Sequence, residues 1–205
     1  MSDAEAAIRW YAVLALAGAA GWPLCLALFR EHRRHAHWFA RPVGMLSVLF
    51  PTWFLASTVN LPFTTIGLWI TLIGVSAAGW WWVWRRRLVA EVSVRNLVVA
   101  EAVTLLVFLG ALWLRGFTPD ILNTEKPMDS AFLSATIRTD QMPPIDPWLA
   151  GETINYYYVG YALHGALARM AGIESPVAFN LALITTTAMS IAAAFGAAFV
   201  LLPRW

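Results

Sequence analysis

Long apolar runs, broken by short basic loops, account for most of this chain. A membrane span needs about 20 apolar residues to cross roughly 30 Å of hydrocarbon. Runs of that kind cover residues 10–29, 43–59 (through Pro51), 63–84, 97–113 and 177–202. Gly and Pro inside them are ordinary for membrane helices. The pattern therefore predicts an all-α integral membrane protein with about five transmembrane helices. The first run is not a cleavable signal peptide. It has no basic start and no small-residue cleavage site, and Arg30 to Arg34 follow it directly.

One long stretch breaks the apolar pattern. Residues 115–175 form a polar insert with Asn123-Thr-Glu-Lys-Pro-Met-Asp129, Pro143-Pro-Ile-Asp-Pro-Trp148 and Ile154-Asn-Tyr-Tyr-Tyr158. Pro127 suits the first turn of a helix, where its missing N–H costs nothing. From residue 128 to 138 the spacing is helical, with Asp129, Phe132, Leu133, Thr136 and Ile137 on one face. Pro143 to Pro147 enforce an extended or turning chain. A second short helix is expected from the N-cap candidate Asn155 to about Met170. Gly172 would end it, and Pro176 would open the last span. The first short helix reads as juxtamembrane and the second as juxtamembrane or re-entrant, which divides the chain into a three-helix region 1–96 and a region 97–205 built around the insert.

Composition agrees with this class. Of 205 residues, 60% are hydrophobic and only 13% charged, with mean hydropathy +0.62. A soluble domain carries about a quarter charged residues. Many of the 12 Trp lie at the ends of apolar runs, as in interfacial belts. One cysteine, Cys25, excludes an internal disulfide framework. The net charge of +2 gives no footprint for nucleic acid.

Basic residues set the expected orientation. Arg30-Glu-His-Arg-Arg-His-Ala-His37 with Arg41 is one basic connection, and Arg85-Arg-Arg87 through Arg95 is another. Basic loops stay cytoplasmic. The chain is thus expected in the cell membrane as a multi-pass protein, with its N-terminus and polar insert non-cytoplasmic and Arg204 inside. His32, His35 and His37 have metal-like spacing, but among arginines they read as a membrane anchor. Glu101, about a turn inside an apolar run, is expected to snorkel or pair with Arg95.

The insert carries the candidate chemistry. Asp129, at a helix N-terminus beside an apolar face, is the first choice for a general base. Glu125 would assist it or help hold a divalent metal. Lys126 and Arg138 are candidate binding cations. Tyr156, Tyr157 and Tyr158 offer aromatic faces to a ligand or anchor the chain at head-group level. His164 is a further binding candidate, although such a histidine is more often simply packed. Asp146, in Asp-Pro-Trp, would bind substrate or build a turn.

These motifs carry a resemblance. Glu125-Lys-Pro-Met-Asp129, Ala131-Phe-Leu133, Pro143-Pro144, Asp146-Pro-Trp-Leu-Ala-Gly151 and Ile154-Asn-Tyr-Tyr-Tyr158 with Gly160, preceded by Glu101 and Arg115-Gly-Phe-Thr-Pro119, resemble the YYY membrane protein family. That is an uncharacterised family of large polytopic proteins. The likeness covers residues 97 to 202, and the first three spans share only general hydropathy. The family is similar in turn to C-type membrane glycosyltransferases, which place an acidic residue in the first large outer loop, followed by juxtamembrane helices and a further span. The resemblance implies transfer of a sugar from a polyprenyl-phosphate donor on the outer face. Family members are longer, so the chain is expected to be the N-terminal part of such an enzyme, completed by a further membrane subunit or a C-terminal region. A transporter or flippase component, with Glu101 in the pathway, and a noncatalytic scaffold subunit are the alternatives. No glycine-rich phosphate loop, zinc-binding cysteine pair or nucleophile elbow is present.

Overall fold

The computed structural model describes residues 2–88, 93–122 and 125–202. Asn123, Thr124 and Arg204 fall outside these residues. Helices α1 (Asp3–Leu28), α2 (Ala40–Thr58), α3 (Thr65–Arg85), α4 (Val94–Gly116) and α7 (Ser175–Leu201) are long. Helices α5 (Lys126–Arg138) and α6 (Val159–Ala171) are short. Among the described residues there is no strand, only an isolated bridge between Ile145 and Thr153. The five long helices are long and apolar enough to cross a membrane. A 3₁₀ segment, Arg30–Phe39, joins α1 to α2 and departs from helical geometry at His32.

Helices α1 and α2 cross with their backbones in contact. A Cβ on Gly44 would lie 1.7 Å from the Ala17 carbonyl oxygen, and one on Gly21 would lie 2.3 Å from that of Ala40. Small residues at such crossings let spanning helices gain close packing that lipid alone does not drive. On the far side of the bundle, α7 packs along α4 and the 3₁₀ segment. There the Trp38 ring stacks on Phe195 and Phe199 at 6.0 and 5.8 Å between centroids. Large apolar side chains such as Ile66, Ile70, Ile73, Val98 and Leu106 remain exposed on α3 and α4. On helices of this length they are lipid-facing surface.

The alternating run of the long helices sorts the connections into two ends. The 3₁₀ segment and the turn after α3 lie at one end, and this end carries Arg30, Arg33, Arg34, Arg85, Arg86 and Arg87. The link at residues 59–64 and the described residues of the insert lie at the other. The insert is packed there, not loose. Trp53 Nε1–H donates to the Tyr158 hydroxyl at 2.7 Å, and Phe63 N–H donates to the Asp140 carbonyl at 2.7 Å. Arg169 donates to the Asp140 carboxylate at 2.6 Å and lies 5.4 Å from the centre of the Phe63 ring. Arg115 at the end of α4 donates to Asn180 Oδ1 on α7 and to the Asp120 carbonyl.

Three expectations need correction. Arg41 is not a loop cation. It lies inside α2, is 7% exposed, and pairs with Glu101. Glu101 accordingly finds its cation on a neighbouring helix, and not at Arg95. The second short helix begins at Val159, not at Asn155. Tyr158 N–H bonds back to the Tyr156 carbonyl at 2.7 Å while its hydroxyl is held by Trp53. The chain therefore bends across the triplet before it can coil. Gly172, left-handed at φ 67°, ends α6, and Pro176 lies in the first turn of α7.

Candidate functional site

The sequence of α5 explains its placement. Pro127 occupies the first turn, and Phe132, Leu133 and Thr136 form the buried face. That face meets α6 at Gly165, where an added Cβ would lie 2.4 Å from Thr136 Oγ1. Thr136 satisfies its own hydroxyl by donating to the Leu133 carbonyl at 2.8 Å. The close approach brings Tyr161 of α6 beside the N-terminal turn of α5. Its ring meets Phe132 edge-on at 5.7 Å, and its hydroxyl donates to Asp129 Oδ1. The second carboxylate oxygen of Asp129 remains for other partners.

Asp129 lines a cleft of about 370 Å³ between α5, α6 and α7. Tyr157, Tyr161, His164 and Thr186 supply its other polar groups. Leu133, Phe179, Ala182 and Leu183 supply an apolar wall. Burial raises the Tyr161 pKa first, and the Asp129 hydrogen bond and charge raise it further. Tyr161 is therefore a neutral phenol that gives its proton to the hydrogen bond. His164 Nδ1 lies 3.0 Å from the Gly160 carbonyl, which can only accept. The ring thus carries its proton on Nδ1 and turns Nε2 toward Thr186 Oγ1, at 3.3 Å. Burial holds the His164 pKa below the ordinary histidine value, against the opposing pull of the Gly160 bond.

The structure gathers some of the expected residues and separates others. Glu125 is exposed one helical turn before Asp129, and its carbonyl accepts the Asp129 N–H at 2.9 Å. Its charge acts on both Tyr157 and Tyr161. Lys126 sits in the same first turn. Asp129, Glu125, Lys126, Tyr157 and His164 thus share one region. The triplet is divided: Tyr158 is buried and bonded to Trp53, while Tyr156 and Tyr157 are exposed with ring centres 3.7 Å apart. Arg138 is at the other end of α5, about 13 Å from Asp129 along the axis at 1.5 Å per residue. It lines a separate depression with Arg169 and Glu174. Asp146 builds a turn, its Oδ1 accepting from the Trp148 and Leu149 N–H groups at 2.8 and 3.2 Å.

Tyr161 and Thr186 went unread in the sequence. Tyr161 lies inside α6 and its partner Asp129 on α5, so no local spacing singles it out. Thr186 lies in an apolar span as one of three threonines, and nothing local distinguishes it. Among the described residues, no group of three His, Cys, Asp or Glu side chains is placed to hold a metal ion. The carboxylates at hand are Asp129 and Glu125.

Comparison with curated proteins and with solved structures finds no match. A family model does match, over residues 47–204. It reaches back through α3 into α2, well before the motif-bearing region that begins near residue 97. The chain belongs to the family described as Uncharacterized membrane protein (DUF2298).

Proposed function

We propose that this membrane protein is part of a glycosyltransferase that uses a polyprenyl-phosphate-linked sugar at the non-cytoplasmic membrane face. The observation that carries this reading is Asp129, held by the Tyr161 hydroxyl at the polar mouth of a cleft with an apolar wall. A lipid-linked sugar has the same division, with a polar head and a hydrocarbon tail. The resemblance of the Glu125–Gly160 motifs to the YYY family, and of that family to C-type glycosyltransferases, supports the same class.

In this reading Asp129 is the general base. Tyr161 occupies one of its oxygens and fixes the carboxylate plane, leaving the other oxygen to take the proton of an acceptor hydroxyl. The acceptor oxygen forms a bond to the anomeric carbon. The bond from that carbon to the phosphate oxygen breaks, and the polyprenyl phosphate leaves with the electron pair. Lys126, in the same helical turn, offsets the charge on the leaving phosphate. A divalent ion, if used, would be held by Glu125 together with substrate phosphate oxygens and would offset phosphate charge. Exposed Tyr156 and Tyr157 offer faces for the sugar ring.

The test is Asp129→Asn in the intact protein in native membranes, supplied with polyprenyl-linked sugars. Loss of one positioned acid–base group lowers a rate by roughly 10²–10⁴-fold. Donor consumption should fall by that factor while the protein inserts normally. Wild-type turnover by the variant, or no consumption of any lipid-linked sugar by the parent protein, would replace this reading with the scaffold one.

A further inference from the structure

The end of α3, on the opposite side of the bundle from Asp129, carries a second built surface. Trp81, Trp84, Arg85 and Arg87 surround an open recess of about 630 Å³. Both indoles are well exposed. The Arg85 guanidinium lies 5.2 Å from the centre of the Trp81 ring. Among the described residues, no acidic side chain pairs with Arg85, Arg86 or Arg87.

The backbone adds an independent observation. Helix α3 closes with the Arg86 N–H on the Trp82 carbonyl and the Arg87 N–H on the Trp84 carbonyl. Arg87 then takes φ 56°, the left-handed region. This position after a helix is usually glycine, because a Cβ is strained there. Here it is an arginine, and Arg87 lines the same recess as Arg85.

We propose that this recess binds the headgroup of an anionic phospholipid. Three features select that ligand. The recess ends a helix long and apolar enough to span a membrane, so it lies at head-group depth. Guanidinium groups donate in a planar fork that matches phosphate oxygens. Exposed tryptophans place an apolar ring against the acyl chains and an N–H toward the headgroup. The positive charge of Arg85, Arg86 and Arg87 complements a net negative lipid and gives no corresponding advantage to a zwitterionic one.

Native mass spectrometry of the detergent-solubilised protein tests the proposal, with phosphatidylglycerol and phosphatidylcholine as probes. Phosphatidylglycerol should be retained in preference. Each arginine near an anionic headgroup contributes about fivefold in binding, so R85Q/R87Q should weaken retention by more than tenfold. The control R30Q/R34Q removes two exposed charges from the same end and should retain the lipid. Arg87→Gly removes a charge and the left-handed strain together. It should bind phosphatidylglycerol about fivefold less tightly with thermal stability unchanged or raised, so that failure to fold cannot explain its loss. Equal losses in both double variants would reduce the effect to diffuse charge and overturn the proposal. So would unchanged retention in Arg87→Gly, or displacement of the lipid by inorganic phosphate at matched concentration.

Discussion

Arg41 on α2 holds Glu101 on α4 with both of its terminal nitrogens, one of them at 3.1 Å. Arg41 also donates to the Tyr11 hydroxyl on α1 at 3.2 Å. A single buried guanidinium therefore ties three spanning helices together. Removing one partner of a buried pair costs more than the pair contributes, because it strands the other charge. Glu101→Ala should destabilise the bundle by about 2 kcal/mol, toward the low side because the Glu101 side chain is 46% exposed. The double variant Arg41→Met with Glu101→Leu should recover most of that loss. Thermal melts in detergent check both. A double variant less stable than either single one would show that the pair itself carries the stability.

Of the described glycines, Gly44 has the least room for a Cβ. The atoms an added Cβ would meet are backbone, at Ala17 and Gly21, and cannot rotate away. Gly44→Ala should cost about 2 kcal/mol or more through overpacking. Gly74, mid-helix with nothing within 4 Å of an added Cβ, is the control. Gly74→Ala should be neutral or mildly stabilising, since alanine is the better helix former. Parallel melts of the two variants make the comparison.

The proposed orientation puts the insert outside. Cys25 is the single cysteine and is buried, so Cys25→Ser gives a clean background. In whole cells, Thr153→Cys should react with a membrane-impermeant maleimide and Arg30→Cys should react only after lysis. Labelling in the reverse order would invert the topology and move the Asp129 cleft to the cytoplasmic face.

The spanning helices were legible because membrane length and hydropathy act along a single segment. So was α5, whose buried Phe132, Leu133 and Thr136 follow helical spacing and whose Pro127 marks the start. What local patterns miss is any partner chosen by tertiary packing. Arg41 reads as one more basic residue at the end of a loop until α4 is placed beside α2. Asn155 is a good helix cap in isolation, but the Trp53–Tyr158 bond delays the helix past the triplet. The same limit hid Tyr161. Its role depends on Gly165 letting α6 approach α5, and no window of sequence contains both helices.

Tyr161 should tune Asp129 without replacing it. Tyr161→Phe keeps the ring against Phe132 and removes only the donated hydrogen bond. A net hydrogen bond to a charged group contributes about 1.5–3 kcal/mol. If Asp129 is the base, losing the bond that orients its carboxylate should lower turnover, by less than Asp129→Asn does. Unchanged turnover would mean that Tyr161 serves packing alone.

His164 predicts a pH dependence of stability whose sign follows from its burial. Its folded pKa lies below the ordinary histidine value of about 6.5. As pH falls through about 6.5, the unfolded chain takes up a proton that the folded protein refuses until lower pH. In that window the unfolded state binds more protons, so stability rises with pH and is lost on acidification. Above about 6.5 both states are neutral at this position and the contribution no longer changes. The melting temperature should therefore drop between pH 7 and 5. His164→Gln should show a shallower drop, because the replacement cannot titrate. Parallel melting curves for the parent and the variant across this range would show that His164 accepts its proton in the folded state as readily as in the unfolded one.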